Sequence, residues 1–431
     1  MNIIFHYDRD RSIHIKLYFL IEALHFTLNG GMRCWMQKHL RIVQVVNVRW
    51  FNATAWYGLS LSRLLKRAGH DVLVAGLSGT ESFRAAQEMG LAPISLPLNT
   101  ANPLRIPPLM RQLGGIVRDF QPHVVNCHRG EGVLFWGLLK KRRCPFALVR
   151  TRGDQRAPKD NMPNRVLHAR LIDALIATNS RTAGQYRNLF GLGGDSLFTI
   201  QGGVDTTRFA PDAAAGAAVR EKLGCAPDDL VVGLLGRFDA VKGQKELIAA
   251  LSCARARLAA SSPASVPRIR LLLLGFATSI SQSAVEAWLR EYDMAQCTVI
   301  TGRVDDVPAH INALDLGVIA SQGSEAIARA AFEIMACGVP LVGTDVGVMP
   351  DLLSPRALVP AGNADALSEL LANALRNEVF RTALRDEQHS QMRHFSEQAF
   401  LERTLAVYET AIRRVSLHCP SISQDTDQCE P

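Results

Sequence analysis

The sequence predicts an α/β protein of two doubly wound domains facing one cleft, and three observations predict it. The chain has 431 residues, more than one ordinary core serves, so two domains are expected. Strand-like and helix-like patterns alternate along it in two successive series, the signature of parallel sheets covered by helices. The stretch FAPDAAAGAAVREKLGCAPDD, rich in Ala, Pro and Asp, leads from one series to the next.

The first series opens at Arg41 with RIVQVVNV, a buried type of strand rich in Val and Ile. AWYGLSLSRLLKRAGH follows with helical spacing and a stop at Gly69. DVLVAGL, HVVNCH, FALVRT and ALIATN are further short apolar strands separated by helical or loop segments. The second series reads LVVGLLGR as strand, QKELIAALSCARARLAA as helix, RIRLLLLGF as strand, AVEAWLREY as helix and CTVITG as strand. A short helix PAHINALD, the strand LGVIAS, a helix from about Ala326 to just before Gly338, and the strand PLVGTD complete it. The expected boundaries are residues 36–210 for the first domain and 211–396 for the second. Residues 397–415 are expected as a helix able to pack back on the first domain, and 416–431 as a disordered tail. Residues 1–35 carry Lys16, Glu22 and His25 in their apolar part and lack a small-residue cleavage site, so they read as an extension outside the fold rather than a signal peptide.

Composition narrows the function classes. With 48% hydrophobic and 20% charged residues the chain is a core builder. No uncharged apolar run is long enough to span a bilayer. The nine cysteines are scattered without a C-x-x-C pair, which argues for reduced thiols in a cytoplasmic setting and against a zinc site. The net charge of +8 is uneven: residues 36–210 hold 24 Lys+Arg against 10 Asp+Glu, whereas residues 211–431 hold 20 against 27. The basic first half is expected to meet something anionic, either an acidic acceptor or the inner face of a membrane. Nothing points to nucleic acid.

In doubly wound sheets, ligands bind beyond the carboxyl ends of strands, so residues there are the informative ones. GLLGRFDAVKG places Gly236 where backbone can approach a ligand, and Arg237 and Lys242 where they can converge on a diphosphate. In SQGSEAIARAAFEIMACGVPLVGTD, Glu325 stands at the mouth of the expected helix and Glu333 eight residues on. The free amides at the helix start suit a phosphate. If both acids lay on one helix they would be about 12 Å apart along its axis, the span from the sugar to the ribose of a nucleotide sugar.

Together these motifs resemble the retaining glycosyltransferases of family 4, which have the GT-B fold of two Rossmann-like domains. The resemblance covers residues 40–415 and rests on Gly-Arg-x4-Lys-Gly, Glu-x7-Glu, MACGVPLV, and GGVDTTRF at residues 202–209. It implies that Arg237 and Lys242 hold the donor diphosphate, Glu325 contacts the transferred sugar and Glu333 binds the ribose. It also implies that amides near Ile327, Ala328 and Arg329 meet a phosphate, and that Gly302, Arg303 and Val304 flank the base. The chain departs from the family's pattern with Gly203 for a usual Asn, Ala328 for a frequent Gly, Asp351 for a frequent Glu, and Arg329 inside the acidic motif. On the acceptor side, post-strand loops offer Arg49, Asn52, Thr54, Arg129, Arg152 and Asp154, with His128 as a catalytic acid–base candidate.

The expected function is transfer of a sugar from a UDP-, GDP- or ADP-sugar to a glycan or glycolipid, in cell-surface polysaccharide or lipopolysaccharide assembly. Arg, Lys and a helix terminus already address the diphosphate, so no metal or other cofactor is expected. A nucleotide-sugar 2-epimerase of the same fold and a catalytically silent nucleotide-sugar binder are the alternatives.

Overall fold

The structure is a computed structural model describing residues 39–100, 102–143, 146–154, 156–261 and 267–418; the expected extension at 1–35 and the tail beyond 418 lie outside it. From Arg41 onward the strands form two all-parallel sheets. The first contains β1 (Arg41–Val45), β2 (Asp71–Gly76), β3 (Ile94–Ser95), β4 (Val124–Cys127), β5 (Ala147–Arg152), β6 (Ala174–Ala177) and β7 (Leu197–Thr199), in the order β3-β2-β1-β4-β5-β6-β7. The second contains β8 (Leu230–Leu235), β9 (Ile269–Leu274), β10 (Thr298–Ile300), β11 (Leu316–Ile319), β12 (Leu341–Thr344) and β13 (Leu358–Val359), in the order β10-β9-β8-β11-β12-β13. This is the GT-B architecture that the sequence predicts.

The strands are apolar because helices cover both faces. Ile42, Val43, Val124, Val125 and Leu148 are fully buried in the first sheet, as are Val232, Leu273, Leu316, Val318 and Leu341 in the second. In each sheet the strand order reverses between neighbours, at β1/β4 and at β8/β11. A ligand crevice opens at such a reversal, so the loops after these strands are where a site belongs.

The final helix, Glu397–His418, reaches back to the first sheet. The Tyr408 hydroxyl lies 2.9 Å from Gln44 Nε2 on β1 and 2.8 Å from Asn126 Nδ2 on β4, accepting from both amides. Arg63 pairs with Glu397 at 2.7 Å, and the rings of Tyr57 and Phe400 meet edge-on at 4.7 Å. The chain between the two sheets is pinned to this helix's start: Val204 N–H donates to Phe395 O, and Glu397 N–H to Val204 O. A Cβ on Gly203 would stand 2.6 Å from the Ser396 carbonyl oxygen, which explains glycine at this position.

One expected element differs in its limits. The helix of the acidic motif runs from Arg329 to Ala336, starting three residues later than expected. Ala328 precedes it at φ +44°, a left-handed conformation that breaks the helix there. Glu325 therefore lies in an irregular turn, and the inference of two acids on one continuous helix axis does not hold.

Candidate active site

The loops after β1, β5, β8, β9, β10 and β11 enclose a cavity of about 990 Å³, large enough for a nucleotide sugar. Two glycines shape the wall after β8. Gly236 has φ +150° and lies against the Lys242 side chain, so that a Cβ there would stand 3.8 Å from the lysine methylenes. Gly243, at φ +74°, packs on the end of β11 so closely that a Cβ would fall 1.9 Å from Ala320 O. Between them Asp239 caps the turn at Val241 N–H and pairs with Arg237 at 3.2 Å. Gln244 Nε2 donates to Arg237 O at 2.8 Å. The basic loop is thus held on both sides.

Glu325 is 5% exposed. Its Oε1 accepts from Lys242 Nζ and from Ser321 Oγ, each at 2.5 Å. Ser321 is itself fixed, since Thr344 Oγ1 donates to its carbonyl at 2.6 Å. Glu333 is 6% exposed, and Arg329 Nε reaches its Oε1 at 2.6 Å. Burial pushes the Glu333 pKa above the ordinary carboxylate value, and the Arg329 charge opposes that rise. Across the cavity, the guanidinium of Arg329 lies 5.5 Å from the ring centroid of Trp56. Arg303 stacks over Phe276 at 4.0 Å, making a flat cationic and aromatic wall after β9 and β10.

The structure brings Gly236, Arg237, Lys242, Gly302, Arg303, Val304, Glu325, Ile327, Ala328, Arg329 and Glu333 to one cavity wall, with Asn52, Thr54 and Asp154 opposite. Asn52 also caps the helix Ala53–Arg67 through Ala55 N–H, and Thr54 Oγ1 donates to Gly153 O at 3.0 Å. Asp154 is held by Arg152 at 2.9 Å, which turns the Arg152 side chain aside. Arg49, Arg129 and Arg152 are not on the cavity wall, and Arg129 instead pairs with Glu131 at 2.7 Å.

His128 is not on the wall either. It is 2% exposed, its Nε2 lies 2.7 Å from Gln44 Oε1, and burial lowers its pKa to about 3. A histidine held neutral below the surface is no proton donor near pH 7, so the acid–base expectation is corrected. The helix itself begins at Arg329, and Ala328 O accepts from Ala331 N–H at 2.9 Å as its first turn closes. Sequence reasoning missed Trp56 and Phe276. Trp56 lies just inside the capped helix start, four residues after Asn52, which was the available signal.

Residues 217–393 match the family described as Glycosyl transferases group 1, and residues 55–208 match Glycosyltransferase Family 4. The chain thus has the GT-B fold, and its two halves are related to those two glycosyltransferase groups. A D-inositol 3-phosphate glycosyltransferase of Salinispora arenicola is 28% identical over 207 residues, covering 45% of this chain and 44% of the relative. The same-named protein of Xylanimonas cellulosilytica is 25% identical over 409 residues, covering 83% of this chain and 91% of the relative. Anabaena Alr3699/HepE, solved in complex with UDP, superposes with a TM-score of 0.73 at 16% identity, over 86% of this chain and 100% of that one. This last likeness concerns the fold.

Proposed function

We propose that this protein is a retaining glycosyltransferase that moves a sugar from a nucleotide-sugar donor to a glycan or glycolipid acceptor. The observation that carries the reading is the convergence of Arg237, Lys242, Glu325 and Glu333 on one wall of the interdomain cavity. Breaking the sugar–phosphate bond puts negative charge on the departing diphosphate. Arg237 and Lys242 are the cations that meet it, and their preorganisation makes them worth more in the transition state than in water. Glu325 would accept from sugar hydroxyls while remaining tied to Lys242. Glu333 would accept from the ribose. The UDP complex of Alr3699/HepE and the names of the inositol-phosphate relatives support a nucleotide-sugar donor and a hydroxyl-bearing acceptor.

The retaining outcome is the reading that the resemblance to family 4 supports, and the cavity's carboxylates bear on how it would be reached. Asp154, Asp239, Glu325 and Glu333 line it, and each is held in an ion pair. None is presented as a nucleophile, which favours displacement on the same face with the leaving phosphate taking the acceptor proton. We place the enzyme in surface polysaccharide or lipopolysaccharide assembly, at the cytoplasmic face of the membrane.

The test is incubation with UDP-, GDP- and ADP-sugars without acceptor, followed by proton NMR of the released sugar. Slow hydrolysis giving first the donor's own anomer supports the proposal. The opposite anomer would overturn retention. An epimerised nucleotide sugar would replace the transferase by an isomerase, and binding without turnover would leave a silent binder.

A further inference from the structure

We propose that Arg329 is a positioning residue: its guanidinium holds Glu333 as the charged ligand of the donor's ribose and, through Trp56, ties the donor wall to the acceptor wall. The inference rests on the reading of Glu333 as the ribose ligand.

Arg329 is the first residue of its helix, where a cation opposes the helix dipole. Helix stability therefore does not account for it. Its Nε lies 2.6 Å from Glu333 Oε1, one turn further on, and its side chain is 44% exposed while that of Glu333 is 8% exposed. A carboxylate so enclosed stays charged only with a partner. The Cζ of the same guanidinium lies 5.5 Å from the Trp56 ring centroid, over the ring. Trp56 belongs to the helix Ala53–Arg67 of the first domain, so this one side chain contacts both walls of the cavity. A planar guanidinium can pair through its edge and stack through its face at once, whereas an ammonium offers only charge.

The other groups around Glu333 do not replace Arg329. Arg208, before the second domain's first helix, adds a weaker positive influence, and the Cys337 thiol lies one turn beyond. His389, from the helix Glu378–Ser390, packs on the same helix with its Nδ1 3.4 Å from Met335 O. Without Arg329, burial acts on Glu333 with little opposition. Its pKa rises further, so the carboxylate is protonated at a higher pH than in the wild type.

The experiment is calorimetric titration of UDP and GDP into the full-length protein at about pH 6 and about pH 8.5. The variants are E333Q, R329Q, R329K, W56L and R329Q/W56L. The wild type should bind with similar affinity at both values. R329Q should bind about tenfold more weakly at the lower pH and recover to within about threefold at the higher. R329K should restore the flat profile, because charge alone sets the protonation of Glu333. W56L should weaken binding about two- to fivefold at both pH values and add nothing in the R329Q background. A pH-independent loss in R329Q, or a W56L effect that adds fully to it, would overturn the proposal while leaving Glu333 in place. E333Q binding as tightly as the wild type would remove the ribose reading itself, and the proposal with it.

Discussion

Lys242 and Glu325 form a 2.5 Å ion pair that joins the loop after β8 to the turn after β11, across the strand reversal of the second sheet. The pair is asymmetric, with the lysine side chain 28% exposed and the glutamate 5%. The lysine faces the cavity while the acid is enclosed. Each group therefore fixes the other on the cavity wall.

Lys242→Ala should have two effects. Loss of a preorganised cation from the diphosphate should lower turnover about a hundredfold, equivalent to roughly 3 kcal/mol. It also leaves Glu325 enclosed without its paired cation, so the melting temperature should fall. The double variant Lys242→Ala/Glu325→Ala should be more thermostable than the single one but no more active. Steady-state kinetics and thermal unfolding measure both. Near-normal turnover in the single variant would refute the diphosphate role, and a double variant less stable than the single would refute the enclosed-charge argument.

Gly203 offers a test remote from the cavity. Gly203→Ala puts a methyl group 2.6 Å from Ser396 O and 2.8 Å from Phe400 Cβ. Overpacking of this kind costs about 1–3 kcal/mol. The expected result is a lower denaturation midpoint with unchanged nucleotide affinity. Unchanged stability would mean that the backbone at Val204 and Glu397 can separate without cost.

The architecture was legible because β1, β8, β9 and their neighbours are buried on both faces and read as continuous Val, Ile and Leu runs. The strands β3, β7 and β13 were not, since they are two or three residues long and, unlike the three-residue β10 within CTVITG, stand outside any longer apolar run. Arg237, Lys242, Glu325 and Glu333 were legible as cavity residues because the loops after β8 and β11, and the helix that the second loop leads into, carry them. The break at Ala328 was hidden, since alanine is a strong helix former and its φ of +44° leaves no mark in the sequence. His128 misled for a related reason. Its place after β4 suggested the cavity, but its ring turns toward β1 and packs on Gly58, where a Cβ would stand 3.1 Å from it.

Two buried histidines should make the protein acid-sensitive. Burial lowers the pKa of His128 to about 3, and burial together with Arg150 and Arg152 lowers that of His168 to about 3. In the unfolded chain both would titrate near the ordinary value of about 6.5. Between these values the unfolded state binds more protons, so their contribution to stability is complete above about pH 6.5 and is lost progressively as pH falls toward 3. The melting temperature should therefore decline from pH 7 to pH 5, before most carboxylates titrate. His128→Gln should lower the neutral-pH melting temperature yet flatten this decline. A wild-type melting temperature constant over that range would show that neither histidine is held neutral.

Membrane association supplies the last test. Among the described residues no helix is long and apolar enough to cross a bilayer. The helix Gly130–Arg143 presents Leu134 at 48% exposure and Leu138 at 45%, and Met162 and Val166 are also exposed on the short helix Met162–Val166. The chain just after that short helix packs on the first one, because a Cβ on Gly137 would stand 3.0 Å from Leu171. The basic run Lys140, Lys141, Arg142 and Arg143 ends the longer helix. Lys140 is already bound to Asp173 at 2.5 Å and is not counted on; the side chains of the other three lie outside the described part. A basic residue at an anionic lipid surface contributes about 1 kcal/mol, and apolar side chains add burial. Co-sedimentation with phosphatidylserine-containing vesicles should therefore show salt-sensitive binding. Replacing Lys141, Arg142 and Arg143 together with Gln should weaken it by up to about a hundredfold, and Leu134→Glu/Leu138→Glu should weaken it further. Absence of binding at low salt, or binding indifferent to ionic strength, would reject the membrane surface and leave an acidic acceptor as the partner of the basic first half.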